Sequence, residues 1–243
     1  MIPLSDANGY HQIRPYVTWT FIILNAFVFF FQMLFADKAT FFYTFGMIPS
    51  ELTEGISYRF LDSSQGLLDI ETPFPTWGTL ISSIFIHGGF LHFGSNMLYL
   101  WIFGDNIENW LGHTKFLILY LVFGLAGSGA HVMADSSGMV PVIGASGAIA
   151  GVLGAYIVLF PKNRVNTLVM FYFITMARIP AVFVLGGWFV LQLVSGLGSL
   201  ANTGSGGVAY WAHVGGFVAG LLVAYVGKRF FPPSLRFSDI NRL

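Results

Sequence analysis

From Val17 to Phe35 the chain runs without a single charged residue. Wound as a helix, a stretch of that length covers the hydrocarbon core of a bilayer. Apolar runs of comparable character return further along. A chain patterned this way folds with lipid, not water, against much of its surface. The composition agrees. Charged residues make up 9% of the 243 residues, against roughly 25% in a soluble domain. That is too little charge to coat a globule of this size. Hydrophobic residues reach 55% and mean hydropathy is +0.72. The 26 phenylalanines suit a lipid-facing surface. Net charge is zero, which gives no basis for nucleic-acid binding. Cysteine is absent, which excludes disulfides, thiolate catalysis and cysteine-ligated metals.

The expected fold class is all-α: a polytopic bundle of six transmembrane helices, forming one domain over residues 1–243. The spans fall at about 17–35, 90–110, 116–133, 146–160, 179–197 and 211–231. Met1 to Pro15 is polar and lacks the parts of a signal peptide, so the first run reads as a retained span. A long first loop occupies 37–89. Its segment from Asp37 to Thr76 holds Glu51, Glu54, Arg59, Asp62, Asp69 and Glu71 and is too long for a simple turn. Thr79 to Ile86 is apolar but too short to span, and reads as interfacial or partly buried.

Val165 to Met176 is also apolar and short, between Arg164 and Arg178. An interfacial or re-entrant segment fits better than a seventh span, because of charge asymmetry. Six spans with the N-terminus inside place Arg14, Lys115, Lys162, Arg164, Arg178, Lys228, Arg229, Arg236 and Arg242 on the inner side. Only Lys38 and Arg59 lie outside. A seventh span would move the four C-terminal basic residues outward. Both termini are therefore expected in the cytoplasm. No internal repeat or half-to-half symmetry is evident, unlike inverted-repeat transporters.

Strongly polar residues inside spans are costly and often functional. His92, Asn96, Ser146 and His213 stand out. His92 and Asn96 lie early in the second span, Ser146 opens the fourth, and His213 lies early in the sixth. These three spans share one direction, so all four residues are expected at similar depth below the outer surface. His92 and Asn96, at i and i+4, share a helix face. They could equally be helix-to-helix glue, at about 0.6–2 kcal/mol each. His87 lies off that face and reads as structural. Gly147, Gly151 and Gly154 form a small-residue stripe on the fourth span. Gly216 and Gly220 continue the face of His213. Such stripes let helix backbones approach closely, which a short serine side chain needs if it is to meet an imidazole. The stripes also have a plain packing role.

Serine becomes a nucleophile when a base takes its proton, and neutral histidine does so near pH 7. No span offers a carboxylate near the outer layer, since Asp105 and Glu108 lie at the inner end of the second. The expectation is a Ser146–His213 dyad. An oxyanion would need donors. The Ser146 backbone N–H at a helix N-terminus, His92 and Asn96 are the candidates.

At these residues the chain resembles the rhomboid intramembrane serine proteases. The matching motifs are Gly144-Ala-Ser146-Gly147 with the glycines after it, Ala212-His213-x-Gly-Gly with Gly220, His87-x4-His92-x3-Asn96, and Glu108-x3-Gly112. The opening Met1-Ile-Pro-Leu-Ser-Asp and the stretch Trp-Ile-Phe-Gly-Asp-Asn-Ile-Glu at 101–108 look like a bacterial or archaeal branch. The resemblance implies a six-helix rhomboid-like bundle in a prokaryotic inner or plasma membrane. It implies Ser146 as nucleophile, His213 as general base, and His92, Asn96 and the Ser146 amide as oxyanion hole. The implied partners are transmembrane protein substrates, cut at a bond flanked by small residues, and the lipid bilayer. No cofactor, metal or nucleic acid is implied. The first loop would lie partly in the membrane, and Gly196–Gly207 would cap the site and move with the fifth span.

Two positions depart from the family pattern. Trp77 is followed by Gly78, where a Trp-Arg pair is common. Ala150 stands where some members place an aromatic ring against the histidine, so another group must hold His213; Tyr210 and Trp211 are nearby in sequence. A catalytically inactive rhomboid-like protein that binds membrane helices is the alternative, disfavoured because both Ser146 and His213 are present. A transporter or channel lined by His92, Asn96 and His213 is disfavoured by the lack of mid-depth acidic residues. A metalloprotease is disfavoured by the absence of His-Glu-x-x-His.

Overall fold

The computed structural model describes residues 1–7, 13–35, 37–63, 66–170, 174–201 and 208–230. Strand β1 (Ile2–Asp6) opens the chain, followed by helix α1 (Tyr16–Gln32). The first loop folds into α2 (Lys38–Phe45), α3 (Pro49–Glu54), a hairpin of β2 (Phe60–Ser63) and β3 (Gly66–Asp69), and α4 (Thr79–Ser82), which runs on into a 3-10 turn. Then come α5 (Phe90–Leu111), α6 (His113–Ala134) and α7 (Ser146–Leu159). Strands β4 (Arg164–Met170) and β5 (Ile174–Pro180) precede α8 (Ala181–Ala201) and α9 (Tyr210–Phe230).

His113–Ala134, Ala181–Leu200 and Tyr210–Phe230 are long and apolar enough to cross a membrane; Tyr16–Gln32 and Ser146–Leu159 are shorter apolar helices. α5 has comparable length but carries Asp105 and Glu108 in its last two turns. α7 is the centre of the bundle. Every residue from Gly147 to Tyr156 is buried, with α5, α6, α8 and α9 around it. A helix that is apolar on all sides is one that touches protein on all sides. α1 packs on α5 at the periphery, where Ile23, Phe27 and Phe30 are exposed.

The fold is mostly helical, but the all-α expectation needs correcting. The stretch Val165 to Met176, expected as an interfacial or re-entrant segment, is extended strand in its described residues, 165–170 and 174–176. It forms most of a hairpin in which β4 pairs antiparallel with β5 and, on its other edge, with β1, Asp6 opposite Val165 and Ile2 opposite Leu168. Val165 and Thr167 are fully buried. Alternating burial on a stretch rich in β-branched residues favours a strand, and the N-terminus supplies the partner. This sheet sits beyond the C-terminal end of α7, away from Ser146. Asp6 anchors it there, its Oδ2 accepting from Asn106 Nδ2 at 3.0 Å and from the Tyr156 hydroxyl at 2.5 Å.

α8 runs to Ala201, so the first part of the expected Gly196–Gly207 cap is helical; residues 202–207 lie outside the described residues, as does Phe231 at the end of the expected sixth span. In the first loop, Asp37 caps α2 by accepting from the backbone of Ala39 and Thr40. Glu51, buried at the start of α3, accepts from the Tyr58 N–H at 2.8 Å. Burial raises its pKa, and that one hydrogen bond pulls it only partly back. Ile84 and Ile86, after α4, are buried against the bundle.

Candidate active site

The site begins with a backbone requirement. Gly144 has φ +120°, where side chains are strained. Its N–H donates to the Ser83 carbonyl at 2.8 Å. That tie fixes the loop so that Ser146 becomes the first residue of α7. Ser146 Oγ then lies 2.7 Å from Nε2 of His213, on the first turn of α9.

Two residues 67 positions apart meet because the helices carrying them touch backbone to backbone. A methyl group on Gly216 would overlap the Gly147 carbonyl, one on Gly220 the Gly151 carbonyl, and one on Gly154 the Phe217 carbonyl. Gly151 itself presents its open side to Phe123 of α6. Two further glycines close the α6–α9 contact: Gly127 faces the Ala212 carbonyl, and Gly215 faces Ala130 and the Ala126 carbonyl.

His92 stands across Gly144 from the serine. Its Nδ1 accepts from the Gly88 N–H at 3.3 Å, which leaves the ring proton on Nε2. A Cβ on Gly144 would sit 2.7 Å from that Nε2 and 3.6 Å from Ser146 Oγ. The donor thus points into the space beside the serine hydroxyl. Asn96 is buried and donates to the His92 carbonyl at 3.0 Å, bracing the turn that holds the ring. His87 is fully buried. Its backbone exchanges two hydrogen bonds with the Gln32 side chain, and its ring packs edge-on against His92, centroids 5.1 Å apart.

A cavity of about 20 Å³ adjoins Ser146, between α6, α7 and the loop before it. Ser83 and Ser128 line it with Gly144 and Ser146. That is room for one water beside polar partners.

The other face of His213 meets α8. Nδ1 lies 2.7 Å from Gln192 Oε1, and the Trp188 ring packs at 5.7 Å between centroids, tilted 37°. Neither residue was singled out in the sequence. The signal was there: Gln192 is the one amide in an otherwise apolar helix, and Trp188 lies four residues earlier on the same face.

A serine, an imidazole and a ring donor are thus gathered at the end of a buried helix in an apolar bundle. The family model described as Rhomboid domain matches residues 75–230, and the chain belongs to the rhomboid family. The family comprises integral membrane proteins and includes intramembrane serine proteases. Three relatives illustrate the range. RHOMBOID-like protein 5 of Arabidopsis thaliana is 33% identical over 63% of this chain and 48% of its own. Rhomboid protein 1, mitochondrial, of Saccharomyces cerevisiae is 34% identical over 62% of this chain and 42% of its own. Rhomboid protease AarA of Providencia stuartii is 25% identical over 92% of this chain and 76% of its own. The chain thus spans about half the length of the first two.

Proposed function

We propose that the chain is an intramembrane serine endopeptidase that cleaves transmembrane-helix substrates, with Ser146 as nucleophile and His213 as general base. The observation that carries this is the 2.7 Å approach of Ser146 Oγ to His213 Nε2. The hydroxyl gives its proton to Nε2 as Oγ attacks the scissile carbonyl. The oxyanion is received by the Nε2–H of His92, by the Ser146 N–H at the start of α7, and by the amide of Asn96. His213 returns the proton to the leaving amine, then activates the water that releases the acyl group.

In this reading α1, α5, α6, α7, α8 and α9 are the six spans, both termini are cytoplasmic, and Ser146 lies below the outer face of a prokaryotic inner membrane. The test is cleavage of a transmembrane-helix reporter by purified protein, with labelling by a fluorophosphonate probe. Cleavage and labelling that both vanish in Ser146→Ala are expected. Cleavage that survives Ser146→Ala overturns the assignment, and absence of both in the wild type favours a helix-binding relative without catalysis.

A further inference from the structure

His213 carries hydrogen bonds on both ring nitrogens, and neither partner is charged. Ser146 Oγ faces Nε2 from α7, and Gln192 Oε1 faces Nδ1 from α8, each at 2.7 Å. A carboxamide oxygen only accepts, so the ring proton sits on Nδ1. Nε2 is then bare toward the serine, which is the form a base must have. A carboxylate performs this duty in a Ser-His-Asp triad. Here the group is neutral, and that matters in a buried site: a carboxylate there costs several kcal/mol to desolvate, whereas an amide needs only its hydrogen bond.

Resting on the assignment of Ser146 and His213 as the dyad, we propose that Gln192 is a positioning residue for catalysis, holding His213 in the Nδ1–H tautomer and in plane with Ser146. Trp188 fixes the same ring from the side. Both supports come from α8. The dyad is therefore complete only while α8 is docked against α9, and displacement of α8 leaves an imidazole free to rotate and to carry its proton on the wrong nitrogen.

The groups around the ring set the expected pH behaviour. Besides Ser146, Gln192 and Trp188, His92 of α5 and His131 of α6 act on it electrostatically. None of these is acidic, so a carboxylate introduced at 192 is the one anion among them. Gln192→Glu stabilises the imidazolium and moves the acid limb of the rate profile to higher pH. Gln192→Met keeps the length and removes the acceptor. It is expected to lower kcat about 10- to 100-fold, less than the ~10⁴ found when an orienting carboxylate is replaced in a triad, with KM little changed.

The experiment measures kcat and KM against pH for wild type, Gln192→Met, Gln192→Glu and Ser146→Ala. It adds ¹⁵N spectra of histidine-labelled protein, with the His213 signals identified by their loss in His213→Ala. Expected are an Nδ1–H tautomer in wild type, a mixture in Gln192→Met, and the raised acid limb in Gln192→Glu. Wild-type kcat with an unchanged tautomer in Gln192→Met overturns the proposal. Should Gln192→Met not fold, an unmoved acid limb in Gln192→Glu overturns it. Cleavage by Ser146→Ala is a separate result and strikes at the dyad itself.

Discussion

The α-carbon of Gly220 rests against the carbonyl oxygen of Gly151, so closely that a methyl group on Gly220 would overlap it. Gly216 stands in the same relation to Gly147 one turn earlier, whereas a Cβ on Gly147 would lie 3.5 Å from the Ala212 carbonyl, an ordinary contact. At these two turns α9 supplies the missing side chains and α7 the carbonyls; at Gly154, against the Phe217 carbonyl, the roles are reversed. Gly216→Ala and Gly220→Ala are expected to cost on the order of 1–3 kcal/mol or more by overpacking, and Gly220→Val more still. Gly147→Ala is expected to unfold near the wild-type temperature. Thermal unfolding in detergent separates these four variants. Equal stability in all would mean that α7 and α9 do not touch as described.

Ser146 and His213 form a single functional unit in the proposed chemistry, because neither the attack nor the proton transfer proceeds alone. Ser146→Ala, His213→Ala and the double variant are expected to lose activity to a similar degree, with strongly non-additive effects. His92→Ala should cost less, roughly 10²–10³ in turnover as for one oxyanion donor, with Asn96→Ala in the same range or milder. Initial rates on a transmembrane-helix reporter check this. His213→Ala working at wild-type rate would remove the base.

Much of this was readable from residues alone, for a physical reason. Lipid forces polar groups to justify themselves, so Ser146, His213, His92 and Asn96 stood out against apolar surroundings. Glycine stripes are local patterns of fixed period. What escaped was non-local. The strand character of 165–170 depends on pairing with Ile2–Asp6, at the far end of the chain, and no window of sequence contains both. Gln192 escaped because it is one amide whose partner lies on another helix, 21 residues away. Its meaning lies in what it faces. Gly127 was missed because it acts against a neighbour on another helix.

Gly144 answers to two constraints at once. Its φ of +120° disfavours any side chain, and a Cβ would press on the His92 ring. Gly144→Ala should therefore displace His92 and abolish most activity, while costing on the order of 1–3 kcal/mol in stability from backbone strain. A fluorophosphonate rate reduced far more than the melting temperature implies is the expected signature. Full activity would mean that the ring beside Gly144 takes no part in the reaction.

Glu108 shows how a charge is kept in an apolar bundle. It is fully buried, yet its oxygens accept from the N–H of Val17 at 2.9 Å, the N–H of Thr18 at 2.8 Å and the hydroxyl of Thr18 at 2.7 Å, with His113 Nδ1 at 2.6 Å. The first two are N–H groups at the start of α1, which no carbonyl within the helix satisfies, and a carboxylate complements the positive end of the helix dipole. Gly112, closing α5 at φ +75°, turns the chain so that His113 comes back over the same carboxylate. Glu108→Ala leaves those donors buried and unpaired and is expected to cost about 3–5 kcal/mol. Glu108→Gln keeps an acceptor and should cost less. Since Glu108 lies on the far side of the bundle from Ser146, the residual folded fraction should label with fluorophosphonate at the wild-type rate. A melting temperature unmoved by Glu108→Ala would mean that α1 is held by its apolar face alone.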